Sequence, residues 1–130
     1  MSKTITIDGS KIFDIPSFYE EINRVFMINV DWQLGQSLDA LNDMFYGGYG
    51  EIDGNEDIQL VWTDFERCRK DLGLKTTKEY YHNKLKQPSV FNTDFIQTKL
   101  NELENGVGKT YFDIILEIIG EHPNIKLIAE

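Results

Sequence analysis

The chain has 130 residues, 22 acidic against 13 basic for a formal net charge of −9, and 41% of it is apolar. That composition suits one globular domain with a modest core, not a disordered chain. The acidity argues against nucleic-acid binding, which needs a cationic footprint, and suits a basic protein partner steered to it by charge. A single cysteine, Cys68, rules out an internal disulfide. The N-terminus shows no apolar signal-type region, and no apolar run approaches the length of a membrane span, so a soluble cytoplasmic protein with no membrane partner is expected.

Thr4-Ile5-Thr6-Ile7 alternates and is rich in β-branched residues, which predicts a strand closed by the Asp8-Gly9 turn. Ser17 with Glu20, after Pro16, predicts a capping box, and the helix that follows should bury Phe18, Ile22, Val25 and Phe26. Gln36 to Tyr46 reads as a short helix, with Leu38, Leu41 and Phe45 on one apolar face and Asp39, Asn42, Asp43 and Tyr46 opposite. Gly47-Gly48-Tyr49-Gly50 stops it, and a polar loop runs to Asp57. Ile58 to Trp62 is a second strand, with Trp62 in the core. Thr63 with Glu66 predicts another capping box, opening a helix with Phe65, Cys68 and Leu72 inward and Gly73 at its end.

Thr76 with Glu79 predicts a helix through Lys86, which Gln87-Pro88-Ser89 breaks. Thr93 to Glu104 is helical again, with Phe95, Leu100 and Leu103 as its apolar positions. Lys109 to His122 is a strong helix. It has a wide face of Tyr111, Phe112, Ile114, Ile115, Ile118 and Ile119 and an acidic stripe of Asp113, Glu117 and Glu121. Ile125 to Ala129 is a third strand. Strands separated by helices predict an α/β fold with a parallel sheet.

Most chemistry-bearing motifs fail on inspection. Gly108-Lys109-Thr110 lacks the upstream strand of a phosphate loop, and the glycine that such a loop needs five residues earlier is Leu103. Asp53-Gly54-Asn55-Glu56-Asp57 has Ile58 where a calcium loop needs glycine and Asp64 where it needs a bidentate Glu. His82 and His122 are far apart in sequence, and neither has the neighbours of a zinc ligand. No metal and no cofactor are expected. Cys68 reads as a small buried hydrophobe. Asp39 and Asp43, or one of them with Glu117, could serve as an acid–base pair only in a cleft that separates their pKa values.

What remains is a protein-binding face. Asp39 and Asp43, four residues apart, are neighbours on the helix surface, and placing like charges there costs a few tenths of a kcal/mol. Trp32, Tyr46 and Tyr49 flank them, as aromatic anchors flank charges in an interface hot spot. The bland alternative is a solvated helix face.

The run Gly35-Gln36-Ser37-Leu38-Asp39-Ala40-Leu41-Asn42-Asp43 resembles the inhibitory loop and helix of the barstar family, intracellular inhibitors of barnase-type ribonucleases. That family carries Gly, two polar residues, Leu-Asp-Ala-Leu, one variable residue and Asp. The opening Ile-x-Ile-Asp-Gly, the stretch Leu60 to Glu66 and the closing helix–strand of Tyr111 to Ala129 fall in the same order. The resemblance covers Lys3 to Leu72 and Gly106 to Glu130. It leaves about 74–105 as an insertion within a single barstar-like domain of residues 1–130.

The resemblance implies a three-stranded parallel sheet packed by helices on its faces, and a non-enzyme that plugs the basic cleft of a ribonuclease or related toxin. Asp43 would replace an RNA phosphate among the enzyme's Arg and His side chains. Asp39 and Glu117 would be further acidic contacts, and Gly35 and Gly47 would let the backbone approach the partner. The chain departs from the family at Gln33-Leu34, where the family has an aromatic loop that Trp32 replaces one position earlier. It departs again at Asn42, where the family has an aromatic, so that Tyr46 or Tyr49 would supply the contact area. These changes imply a distinct cognate target. Two other readings stay open: a module of the same fold that regulates another basic protein, and a small hydrolase using the carboxylates.

Overall fold

The computed structural model describes residues 3–130. Three strands, β1 (Lys3–Ile7), β2 (Ile58–Trp62) and β3 (Ile125–Ala129), form a parallel sheet in the order β1-β2-β3. Helices α1 (Ile15–Phe26) and α2 (Leu38–Phe45) separate β1 from β2. Helices α3 (Phe65–Asp71), α4 (Leu74–Leu85), α5 (Thr93–Glu104) and α6 (Tyr111–Gly120) separate β2 from β3. The α/β class, the three strands and the order of the helices are as the sequence predicts.

Successive side chains of a strand point to opposite faces, and this sheet gives its helices one face. Ile5, Ile7, Ile58, Leu60, Trp62 and Ile125 are buried in a single apolar core with Phe18, Ile22, Phe26, Phe45, Phe112 and Ile119. The alternate rows run Thr4–Gln59–Lys126 and Thr6–Val61–Ile128, and all six residues are exposed or half-buried. Helix cover is therefore on one face, not on both as the resemblance implies, and the polar residues at alternate strand positions are the reason the other tolerates water.

Several helix starts differ from expectation because side chains serve tertiary contacts. Helix α1 is capped by Asp14, whose carboxylate accepts from the Ser17 amide at 2.8 Å, while the Ser17 hydroxyl accepts from the Asp14 amide. The capping box is thus Asp14/Ser17, not Ser17/Glu20. Thr63 does not cap α3: its hydroxyl accepts from the Gly9 amide at 3.1 Å and donates to the Ile7 carbonyl, tying the end of β1 to β2. Helix α4 begins at Leu74, ahead of Thr76, whose hydroxyl donates to the Asp71 carbonyl. In α5 the inward residues are Ile96, Leu100 and Leu103, and Phe95 is turned out, 54% exposed. Val25 and Ile114, read as inward, are half-buried.

Helices α4 and α5 pair as a hairpin with a small apolar cluster of their own, Tyr81, Ile96, Leu100 and Leu103, edged by Leu85 and Phe91. The hairpin is fastened to the main core at α4. The Thr77 hydroxyl accepts from the Tyr111 amide at 2.7 Å and donates to the Gly73 carbonyl. Tyr80 packs edge-on against Tyr111 with ring centroids 5.0 Å apart.

Candidate functional site

Helix α2 is short, and packing rather than propensity holds it. Leu41, Met44 and Phe45 are buried beneath it, with Leu38 half-buried at its start. Ser37 caps it, accepting from the Ala40 amide, which trims the helix to Leu38–Phe45. Asp39 lies in the first turn, where the helix dipole favours an anion. Asp39 and Asp43 are both exposed, and neither carboxylate pairs with a cation among the described residues. They are two uncompensated charges on a helix fixed from behind.

The loop before α2 is gripped by α1. The Asn23 side chain accepts from the Leu34 amide at 2.6 Å and donates to the Leu34 carbonyl at 3.2 Å, and the Leu34 side chain is buried. Gln33 and Gly35 on either side are exposed. Trp32 is 46% exposed and leans on Tyr49, ring centroids 4.8 Å apart. Burial first, and the negative charge of Asp43 second, push the Tyr49 hydroxyl above its ordinary pKa. Trp32 and Tyr49 thus form an aromatic pair, with the charge of Asp43 acting on the Tyr49 hydroxyl. Tyr46 is 63% exposed.

Asn42 has a role that no local pattern shows. Its Oδ1 lies 2.8 Å from Nε2 of His122, a residue 80 positions away in the turn after α6. His122 is buried, its ring 4.6 Å from that of Tyr46 and 5.7 Å from that of Phe45. The side chain between the two aspartates therefore points back to pin α2. Burial lowers the pKa of His122 from 6.5, with Glu121 pulling the other way. Below 6.5 the unfolded chain takes up this proton more readily than the folded one, so the His122 contribution is full above 6.5 and is lost as pH falls through the folded value. Thermal unfolding at pH 7.5 and pH 5 should show a smaller acid loss in His122→Gln than in the parent; an identical loss would remove His122 as the source.

The two glycines of the site differ. Gly47 has φ +83, and a Cβ there would sit 2.4 Å from the Gly54 carbonyl oxygen. The fold itself demands glycine at 47, whatever a partner requires. Gly35 has open space where a Cβ would go. Gly47→Ala should cost about 1–3 kcal/mol in chemical denaturation, whereas Gly35→Ala should leave stability within about 0.5 kcal/mol. Equal losses in the two variants would overturn this distinction.

Glu117 stands apart from the aspartates in its pairing. The Lys109 ammonium reaches it at 2.8 Å, and that bond raises the lysine pKa. An exposed pair of this kind contributes little to stability, so a partner could open it cheaply. Helix α2 packs on α6, which carries Glu117. Glu117 lines a groove with Phe95, Val107 and Lys109, while Asp39 lines a neighbouring one with Tyr80 and Phe95. Thr110, the end of the Gly-Lys-Thr run, caps α6 through a reciprocal box with Asp113.

Among the described residues no helix is long and apolar enough to cross a membrane, and no group of three His, Cys, Asp or Glu could hold a metal ion. Cys68 is buried, its thiol pushed up by burial. No curated protein matches the chain. The family model described as Barstar (barnase inhibitor) matches residues 2–83, a span that runs from the described start of β1 through α2 and β2 into α4. That span is more than half of the chain and contains the whole acidic helix with its loop, and the protein belongs to the barstar family.

Proposed function

We propose that this protein inhibits a barnase-type ribonuclease by seating α2 and the loop before it in the enzyme's basic active-site cleft. Asp43 takes the place of a substrate phosphate among cationic side chains, where charge-assisted and often bidentate hydrogen bonds form. Asp39 supplies a second carboxylate one turn away. Trp32, Gln33, Gly35, Tyr46 and Gly47 border the pair, and Glu117 adds a contact once released from Lys109. In this role the protein acts as an immunity protein in the cytoplasm of the cell that makes the ribonuclease, and it carries out no reaction of its own.

The observation that carries this reading is the pair of exposed aspartates without cationic partners on a helix pinned by Leu41, Met44 and Phe45. Such a surface meets a cationic cleft with little ordering cost. The inward turn of Asn42 removes one side chain from the face and favours a target shaped differently from barnase. A module that regulates another basic protein would use the same surface.

Barnase is the probe for the first test. Its activity should fall to zero at one equivalent of this protein or, for a weaker fit, in micromolar excess, and the inhibition should weaken as salt rises. No inhibition at micromolar excess would exclude general barnase-type inhibition, and a salt-independent effect would exclude the acidic face as its source.

A further inference from the structure

We infer that the α4–α5 hairpin is a second recognition element for the ribonuclease, and that the groove between it and the first turn of α2 receives a segment bordering the enzyme's cleft that carries a carboxylate beside an apolar side chain. The inference rests on the reading of α2 as the plug.

Position is the first argument. The groove encloses about 640 Å³ between Ser37 and Asp39 on one wall and Tyr80, Lys84, Phe91 and Phe95 on the other. Asp39 is exposed and lines this groove together with the hairpin residues, so the two surfaces are continuous. Apolar surface is the second. Phe95 is 54% exposed although the cluster inside the hairpin is completed by Ile96, Leu100 and Leu103. It borders both this groove and the one lined by Glu117.

Charge decides the occupant. Residues 74–105 carry five lysines against four carboxylates, so the negative charge of the chain lies outside them. Lys84 Nζ rests over the rings of Tyr80 and Phe91, 4.4 and 4.9 Å from their centroids, and pairs with no carboxylate among the described residues. Lys99, over Phe95 at 5.3 Å, belongs to the neighbouring groove and pairs with Glu102, so Lys84 alone makes this wall cationic. One wall is therefore acidic and the other aromatic and cationic. A uniformly basic enzyme would be attracted by the first wall and repelled by the second; a basic cleft with a carboxylate on its border satisfies both. The rings hold Lys84 in place beforehand, which lowers the ordering cost of meeting that carboxylate.

The test uses phage-displayed, catalytically inactivated barnase with the loops bordering its cleft randomised, selected on the full chain and on two variants, Lys84→Ala/Phe95→Ala and Asp43→Ala. Phe95 is exposed and Lys84 half-buried, and a thermal transition matching that of the parent verifies folding. The expected binders carry Asp or Glu next to an aliphatic or aromatic residue in one bordering loop, and they lose about tenfold or more in affinity for the hairpin variant, equivalent to about 1.4 kcal/mol. Binders that lack that signature, or that hold the hairpin variant as tightly as the parent, overturn the hairpin's role while a loss on Asp43→Ala leaves the plug standing. Binders indifferent to Asp43→Ala, or none at all, overturn the plug reading and the hairpin with it.

Discussion

Asp43→Ala is expected to weaken binding to the target ribonuclease by about 2–5 kcal/mol, roughly 30- to 5,000-fold, while leaving the fold intact. The barnase–barstar pair is itself among the systems behind that range. The size of the loss comes from the partner's side of the interface. On the proposed reading, a cationic cleft sealed by α2 would lose its water, and without the carboxylate its Arg and His side chains would stay desolvated and unpaired. The free protein has little to lose. Asp43 is exposed and lies beyond the first turn of α2, so the dipole does not favour it there. Removing it also relieves repulsion from Asp39, worth a few tenths of a kcal/mol. Asp39→Ala gives up a first-turn anion as well, at about 0.3–1 kcal/mol of stability. Affinity by calorimetry and stability by denaturation, measured on both variants, separate the two terms. An Asp43→Ala variant that binds its ribonuclease like the parent would sink the phosphate-mimic role.

The sheet was legible because its strands are short apolar runs bounded by turn residues. Ile58–Trp62 and Ile125–Ala129 carry that signal to the residue. The acidic helix was legible for a related reason: a 3.6-residue period places Leu41 and Phe45 opposite Asp43 whatever the rest of the chain does. What escaped were decisions made by distant partners. Asp14 and Ser17 both sit near Pro16, and either can cap a helix; only the backbone around Asp14 selects it. Thr63 looks like a cap but is spent on Gly9, 54 residues away. Asn42 reads as one more polar residue on a solvated face until His122 folds against it, and Lys109–Glu117 spans the start of a helix that periodicity cannot close. The hairpin's inner face escaped by one residue: three apolar positions fit poorly with Phe95 and well with Ile96.

Removing residues 125–130 is expected to abolish cooperative unfolding altogether. Strand β2 is central, and β3 supplies its second edge; the Ile58 amide donates to the Asn124 carbonyl and the Glu130 amide to the Trp62 carbonyl, bracketing the ladder at 2.8 and 2.9 Å. Burial of Ile125 is worth about 1.5–3 kcal/mol, and each lost ladder bond about 0.5–1.5 kcal/mol. Those losses approach the whole stability of a domain, about 5–15 kcal/mol. Two strands with one open face do not stand alone in water. The damage would extend to the site, because the core face of α6 is closed by the sheet and α2 leans on α6 and His122. Circular dichroism on heating should therefore show no sigmoidal transition, and ribonuclease binding should vanish with it. A truncated chain that still melts cooperatively would mean that β1, β2 and the helices suffice for the core. One that also binds would mean that α2 is held by α1 and its own buried face alone.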